Sequence, residues 1–260
     1  MSATLKIAVA GATGRVGRPL VEALRARGCE VAAIARSTGV DVITGDGLAK
    51  ALDGVDVIVD AATSPSPDQK EATTFFTTAA RNLHETGRRA GVRRMVVVSI
   101  IGVDRFTAGY NAAKRAHEQA ALAGPVDVRI LRSAQFHELV PLLVEWGRQG
   151  DVSYVQEMRT QLVAASAVAE VLAGMATADD ARWSAPSTQA PILEVAGPRE
   201  ESMVAVATVL ASRRGSPLKI EGVDNLADPD HELYATDVLL PGPNATVTGP
   251  TFEEWLDRQS

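Results

Sequence analysis

Short apolar runs alternate with longer amphipathic stretches through the first half of the chain. LKIAVA (residues 5–10), EVAAIA (30–35), VDVIVDAA (55–62), RMVVVS (94–99) and VDVRILR (126–132) are each six to eight residues long and rich in aliphatic residues, mostly Val and Ile. Periodicity alone would also allow buried helices, but these lengths and the β-branched content favour strands. Between them, residues 14–27, 68–90 and 110–123 read as helices, the second unusually long. Continuous apolar strands separated by amphipathic helices imply a parallel sheet covered on both faces, hence an α/β, Rossmann-like doubly wound fold.

After residue 132 the rhythm loosens. A helix over 136–148, an extended segment at 152–161, a helix over 166–178, a strand at 191–195 and a helix over 200–213 are expected. The tail LPGPNATVTGPTFEEWLDRQ is rich in turn residues up to Pro250, and then Thr251 caps a last helix with Glu253 and Glu254 in its first turn. This divides the chain into a nucleotide-binding core over 1–132 and a smaller substrate lobe over 133–260 that contributes in part to the core.

Composition removes several functions. With a formal charge of -6 and Lys and Arg spread along the chain, there is no basic footprint for nucleic acid. A single cysteine, Cys29, allows no internal disulfide, and no Cys/His spacing suggests a metal site, which fits a reducing cytoplasm. The longest aliphatic run, 95–103, is too short to span a bilayer, and the first strand is not preceded by a signal-peptide pattern. A soluble protein with a small-molecule substrate is expected, and its oligomeric state is not readable.

The first strand leads directly into GATGRVG, which opens the first helix. Gly11, Thr13, Gly14, Arg15, Val16 and Gly17 therefore form a loop at a helix N-terminus, where free N–H groups and the helix dipole favour a pyrophosphate. An enzyme that prefers NAD usually carries an acidic residue at the end of the second strand, but here that place holds Arg36. A guanidinium can grip a 2'-phosphate that a carboxylate would repel. With Arg15 as a second cation, NADP(H) is the expected cofactor.

Ser99 ends a strand at the carboxyl edge of the sheet, where ligands bind in open α/β folds. Tyr110 and Lys114 follow at i and i+4 on one helix face. In a carbonyl reduction Tyr110 would donate the proton, Lys114 would lower the phenol's pKa, and Ser99 would hold the substrate oxygen. Taken alone, Tyr-x-x-x-Lys arises by chance in many helices, and its position supplies the meaning.

The glycine spacing resembles the short-chain dehydrogenase/reductase superfamily. GATGRVG, ARNLHETGRRAGVRRMVVVSIIGVD, YNAAK, ILRSAQFHE, VAGPREES and GPTFEEW are together similar to its NmrA-like, NAD(P)H-binding atypical members. The resemblance implies that Asp46, placed after a third short strand, and Ala61, Ala62 and Thr63, after the next, contact adenine and the adenosine ribose. A helix N-cap is the other reading of Asp46. It implies too that Lys114 binds the nicotinamide ribose, and it matches Asn82 to an asparagine common in relatives. Two departures stand out: a short interval from Ser99 to Tyr110, and Ala167 where relatives carry an aspartate at a helix start.

Phe136, His137 and Trp146 follow the fifth strand and are candidates for the substrate pocket, with core packing or a structural hydrogen bond as alternatives. His84, His117 and His231 carry no readable role. The leading expectation is an NADPH-dependent reductase of a small, largely apolar carbonyl, enone or quinone. The alternative is an NmrA-type redox sensor with little turnover, and a sugar-nucleotide epimerase or dehydratase ranks third because the second lobe is short.

Overall fold

The structure is a computed structural model describing residues 4–183, 191–214 and 219–259. Strand β1 (Lys6–Ala10) runs through the glycine loop into α1 (Gly17–Ala26), and β2 (Glu30–Ile34) follows. Residues 40–47 form turns, not the short strand expected before Asp46. The Asp41 carboxylate accepts from the amides of Ile43 (2.7 Å) and Thr44 (3.3 Å), a local bond that competes with strand pairing.

Helix α2 (Leu48–Ala51) and strand β3 (Val57–Asp60) lead to α3 (Gln69–Ala90). The Asp68 carboxylate caps α3 by accepting from Glu71 N at 2.9 Å, and Gly91, at φ 82°, ends it. Strand β4 (Arg94–Ile100), helix α4 (Gly109–Leu122) and strand β5 (Asp127–Ser133) complete the first half.

The expected helix over 136–148 is a 3-10 turn followed by α5 (Val140–Trp146), because Pro141 suits only the first turn of a helix. Then come β6 (Arg148–Gln149), β7 (Val152–Gln156), β8 (Arg159–Thr160), α6 (Ala165–Ala176), α7 (Asp180–Trp183), β9 (Ile192–Ala196), β10 (Glu201–Ser202), α8 (Met203–Arg213), β11 (Lys219–Val223), β12 (Thr246–Val247) and α9 (Phe252–Asp257).

The main sheet has the order β12-β9-β5-β4-β3-β1-β2, and every pairing in it is parallel. One face packs Val9, Val59, Val96 and Leu131 against α1 and α6. The other packs Ala10, Ile58, Val97 and Ile130 with Leu83 of α3 and Ala121 of α4. The second half returns to this sheet, with β9 beside β5 and β12 beyond it. A separate core around Val140, Leu210 and Phe252 joins α5, α8 and α9 over the sheet β11-β7-β6. The chain winds outward in both directions from β1, so a crevice opens at the carboxyl ends of β1 and β3.

Candidate functional site

At that crevice the backbone is packed too closely for side chains. Gly11 has φ 74°, and a Cβ there would lie 2.5 Å from Ala61 O; at Gly17 it would lie 2.0 Å from Gly11 O. Helix α1 starts with neither a side-chain cap nor an acidic residue in its first turn, so its N–H groups and positive dipole end face the loop. Thr13, Gly14 and Arg15 are exposed, whereas Val16 is buried in the core beneath and supports the loop from inside. These features fit a dinucleotide's pyrophosphate.

The loop is tied to the end of β2, where Gly11 N and Ala12 N donate to Ile34 O at 3.0 and 3.3 Å. Two residues on, Arg36 is exposed and opens a short turn that Thr38 stabilises through Ala35 N (3.1 Å). Neither Arg36 nor Arg15 pairs with a carboxylate among the described residues. Asp46 is exposed and accepts from the Thr44 hydroxyl at 2.7 Å, while Gly47 holds the N-cap of α2, so Asp46 is not that helix's cap. Asn82 is no idle surface residue: its amide donates to Val42 O (2.8 Å) and Ile43 O (2.9 Å) and fixes the turn before Asp46. Ala61 and Ala62 are partly buried beside the glycine loop, and Thr63 is exposed.

Ser99, Tyr110 and Lys114 lie at the carboxyl end of β4 and in the first turns of α4, but their pairing differs from the expectation. Lys114 is 5% exposed and points inward, with Nζ donating to Val98 O at 2.7 Å and contacting His117 Nδ1 at 2.8 Å. His117 Nε2 lies 3.1 Å from a carboxylate oxygen of Asp60 at the end of β3. The Phe76 ring stacks on His117 at 4.8 Å, and the Lys114 ammonium sits 4.4 Å from the same ring's centroid. Burial lowers the Lys114 pKa to about 8, against the raising influence of Asp60 and Glu118.

Tyr110 packs edge-on against Phe76 at 5.7 Å, and burial pushes its hydroxyl up to about 12. The expected lowering by Lys114 is therefore not what sets this phenol, because the ammonium is turned toward Val98 and His117. Ser99 is 1% exposed, and its hydroxyl has no hydrogen-bond partner among the described residues. It lies next in the chain to the carbonyl that holds Lys114.

The candidates after β5 do not form one wall. Phe136 is partly buried against the sheet core. Trp146, at the end of α5, is 70% exposed. His137 is enclosed by Phe252 and Trp255, and its Nε2 donates to Pro250 O at 3.0 Å, so it anchors the C-terminal helix instead of facing a pocket. Burial lowers its pKa and keeps it neutral.

A segment over residues 224–240, unremarked in the sequence, closes over the start of α4. Asp230 accepts from Thr107 N (2.5 Å), Thr107 Oγ1 (2.8 Å) and Ala108 N (2.7 Å), capping a helix whose own N-cap residue, Ala108, supplies no side-chain bond. Asn111 donates to the Tyr234 hydroxyl at 3.3 Å. Gly102 leaves room for the segment, since a Cβ there would meet Val238 O at 2.2 Å.

The profile of a family described as NAD(P)H-binding matches residues 11–179, a span that starts at the first loop glycine and includes Ser99, Tyr110 and Lys114. The chain belongs to this NAD(P)H-binding family. Solved structures share the fold of this NAD(P)H-binding protein over nearly its whole length. MoeE5 in complex with UDP-glucose and NAD is 19% identical, with 98% of this chain and 99% of that chain covered at a TM-score of 0.70. A dTDP-4-dehydrorhamnose reductase from Bacillus anthracis in complex with NADP is 16% identical, with 98% of each chain covered and a TM-score of 0.67. A short-chain dehydrogenase/reductase superfamily protein from Agrobacterium tumefaciens with bound NAD is 19% identical, with 97% and 90% covered and a TM-score of 0.60. Among curated protein sequences none matches.

Asp60, His117 and Asp230 are the residues of this NAD(P)H-binding protein that sequence reasoning passed over. His117 had a local signal, three residues after Lys114 on the same helix face. Among the described residues no cluster of His, Cys, Asp and Glu suits a metal ion, and no helix is long and apolar enough to cross a membrane.

Proposed function

We propose that the protein is an NADPH-dependent reductase of a small, neutral, largely apolar carbonyl, enone or quinone, in the NmrA-like branch of the atypical short-chain reductases. The observation that carries this reading is the buried Ser99 hydroxyl, unpartnered and next in sequence to the carbonyl that fixes Lys114. A buried hydroxyl without a partner is costly, and a substrate oxygen accepting from it recovers that cost.

Gly11, Gly14, Gly17 and the α1 N-terminus would hold the pyrophosphate, Arg15 and Arg36 the 2'-phosphate, and Lys114 the nicotinamide side. When bound, NADPH supplies the hydride. Tyr110 supplies the proton. At neutral pH a phenol with a pKa of about 12 is protonated, which is the form reduction requires, and it remains more acidic than the alcohol that forms when it gives its proton to the alkoxide. The same raised value disfavours, at neutral pH, the phenolate that alcohol oxidation would require.

Substrate charge is read from the segment over 224–240. It brings Asp228 and Asp230 beside Tyr234, whose hydroxyl meets Asn111 in the first turns of α4, and its His231 pairs with Asp224 at 2.8 Å. A diphosphate would be repelled there. Chain length no longer argues against a nucleotide sugar, because this chain covers 99% of MoeE5; acidity is the better argument.

The inward turn of Lys114 favours one second reading, a protein that binds NADP(H) and reports its redox state with little turnover. NADPH oxidation against apolar ketones, enones, quinones and keto-sugar nucleotides separates the two. Turnover with a neutral carbonyl that falls roughly 10²–10⁴-fold in Tyr110→Phe, with NADPH affinity kept, supports the reductase. Tight NADPH binding without turnover on any substrate supports the sensor, and full activity in Tyr110→Phe removes the tyrosine's role.

A further inference from the structure

Behind the candidate site runs a buried polar line: Asp60 on β3, His117 and Lys114 on α4, and Val98 O on β4, linked at 3.1, 2.8 and 2.7 Å. All three side chains are at most 5% exposed. An ammonium placed so deeply needs a countercharge, because desolvation favours its neutral form. Glu118 is committed elsewhere: both its oxygens accept from Arg132, at 2.8 and 2.7 Å, and Arg132 also bonds Asp104 at 2.6 Å. Asp60 is left as the carboxylate that serves Lys114, and it does so through the imidazole.

The partners fix the tautomer. An ammonium only donates, so His117 Nδ1 accepts, and Nε2 carries the proton that it donates to Asp60. The other Asp60 oxygen accepts from Ala62 N at 3.0 Å, which binds the line to the segment beside Gly11. Phe76, stacked on the ring and facing the cation, holds the imidazole plane. Two of the three Lys114 donors are thereby used, and one remains.

We propose, resting on the role given to Lys114 above, that Asp60 and His117 are positioning residues that hold the Lys114 ammonium protonated and pinned beside Ser99 for the nicotinamide side of the cofactor. The titratable and charged groups around Lys114 are Asp60 from β3, Tyr110, His117 and Glu118 from α4, Arg132 from β5 and Asp104 from the turn after β4. His84 on α3 lies close enough to feel Asp60. Of these, Asp60 and Glu118 favour the charged ammonium. Removing Asp60's charge leaves Glu118, already neutralised by Arg132.

The test uses two readouts. In the wild-type protein with ¹⁵N-labelled histidine, His117 is expected to be neutral with the proton on Nε2 at pH 7. An imidazolium, or a proton on Nδ1, overturns the proposal. NADPH affinity, measured by fluorescence from pH 6 to 9.5, is expected to hold until about pH 8 and then weaken up to about tenfold per pH unit as Lys114 loses its proton. Asp60→Asn and His117→Leu move that midpoint down by about one pH unit or more. His117→Gln, whose amide can both accept and donate, stays near wild type. Affinity independent of pH, or unmoved midpoints in both Asp60→Asn and His117→Leu, overturns the proposal. A wild-type protein that binds no NADPH but shows the predicted tautomer defeats the proposed function, and with it the cofactor-side purpose of the line.

Discussion

In the proposed function, Arg36 is the side chain on which cofactor choice turns. It stands exposed just past the strand whose last carbonyl anchors the glycine loop, without a carboxylate partner among the described residues. Its charge is therefore available to a phosphate without breaking an existing pair. Charged hydrogen bonds contribute about 1.5–3 kcal/mol, so Arg36→Ala should weaken NADPH binding roughly 10- to 100-fold while leaving NADH within about twofold. Isothermal titration with both cofactors checks this, and equal losses for the two would show that Arg36 acts on something other than the 2'-phosphate. The positions of Arg36, Ser99 and Lys114 were legible in the sequence because each is defined by its offset from a strand end or a helix start. The inward turn of Lys114 was not, since it depends on Asp60 and His117, which lie 57 residues apart in the chain.

Among the elements, α6 shows how a missing local signal can be supplied from elsewhere. Its N-cap residue is Ala164, with no side-chain bond, and its first turn holds no acidic residue. The Glu138 carboxylate fills that role, accepting from Ala165 N at 3.3 and 3.1 Å. Loss of a cap costs about 1 kcal/mol, so Glu138→Ala should lower the urea midpoint accordingly, with Glu138→Gln keeping part of the difference. An unchanged midpoint would mean that the α6 terminus is satisfied by water. The strands of the first half were readable because each is a short, largely aliphatic run, and β1, β3, β4 and β5 are buried on both faces while β2 closes the edge. The boundaries that shifted did so where a single side chain competes with the regular pattern, Asp41 in the turns after β2 and Pro141 at the start of α5. Caps that come from another element leave no pattern in the segment they stabilise.

For the whole molecule, the second half contributes to the core, since β9 and β12 join the main sheet and residues 224–240 return to α4. Asp230 carries three hydrogen bonds of that return. Asp230→Ala should lower kcat/KM for a carbonyl substrate at least about tenfold by loosening the first turn of α4, which carries Tyr110, while NADPH affinity changes less than about twofold. Parallel losses in both would instead indicate general unfolding. The bond between Asp230 and Thr107 also sets an order of events during synthesis. The partners are 123 residues apart, so a ribosome has released the strands from β1 to β9 before the residue that finishes the Tyr110 turn is made. A nascent chain thus has its glycine loop well before the turn of Tyr110 is finished, and under the proposed function the appearance of binding would precede the appearance of catalysis in the life of each molecule.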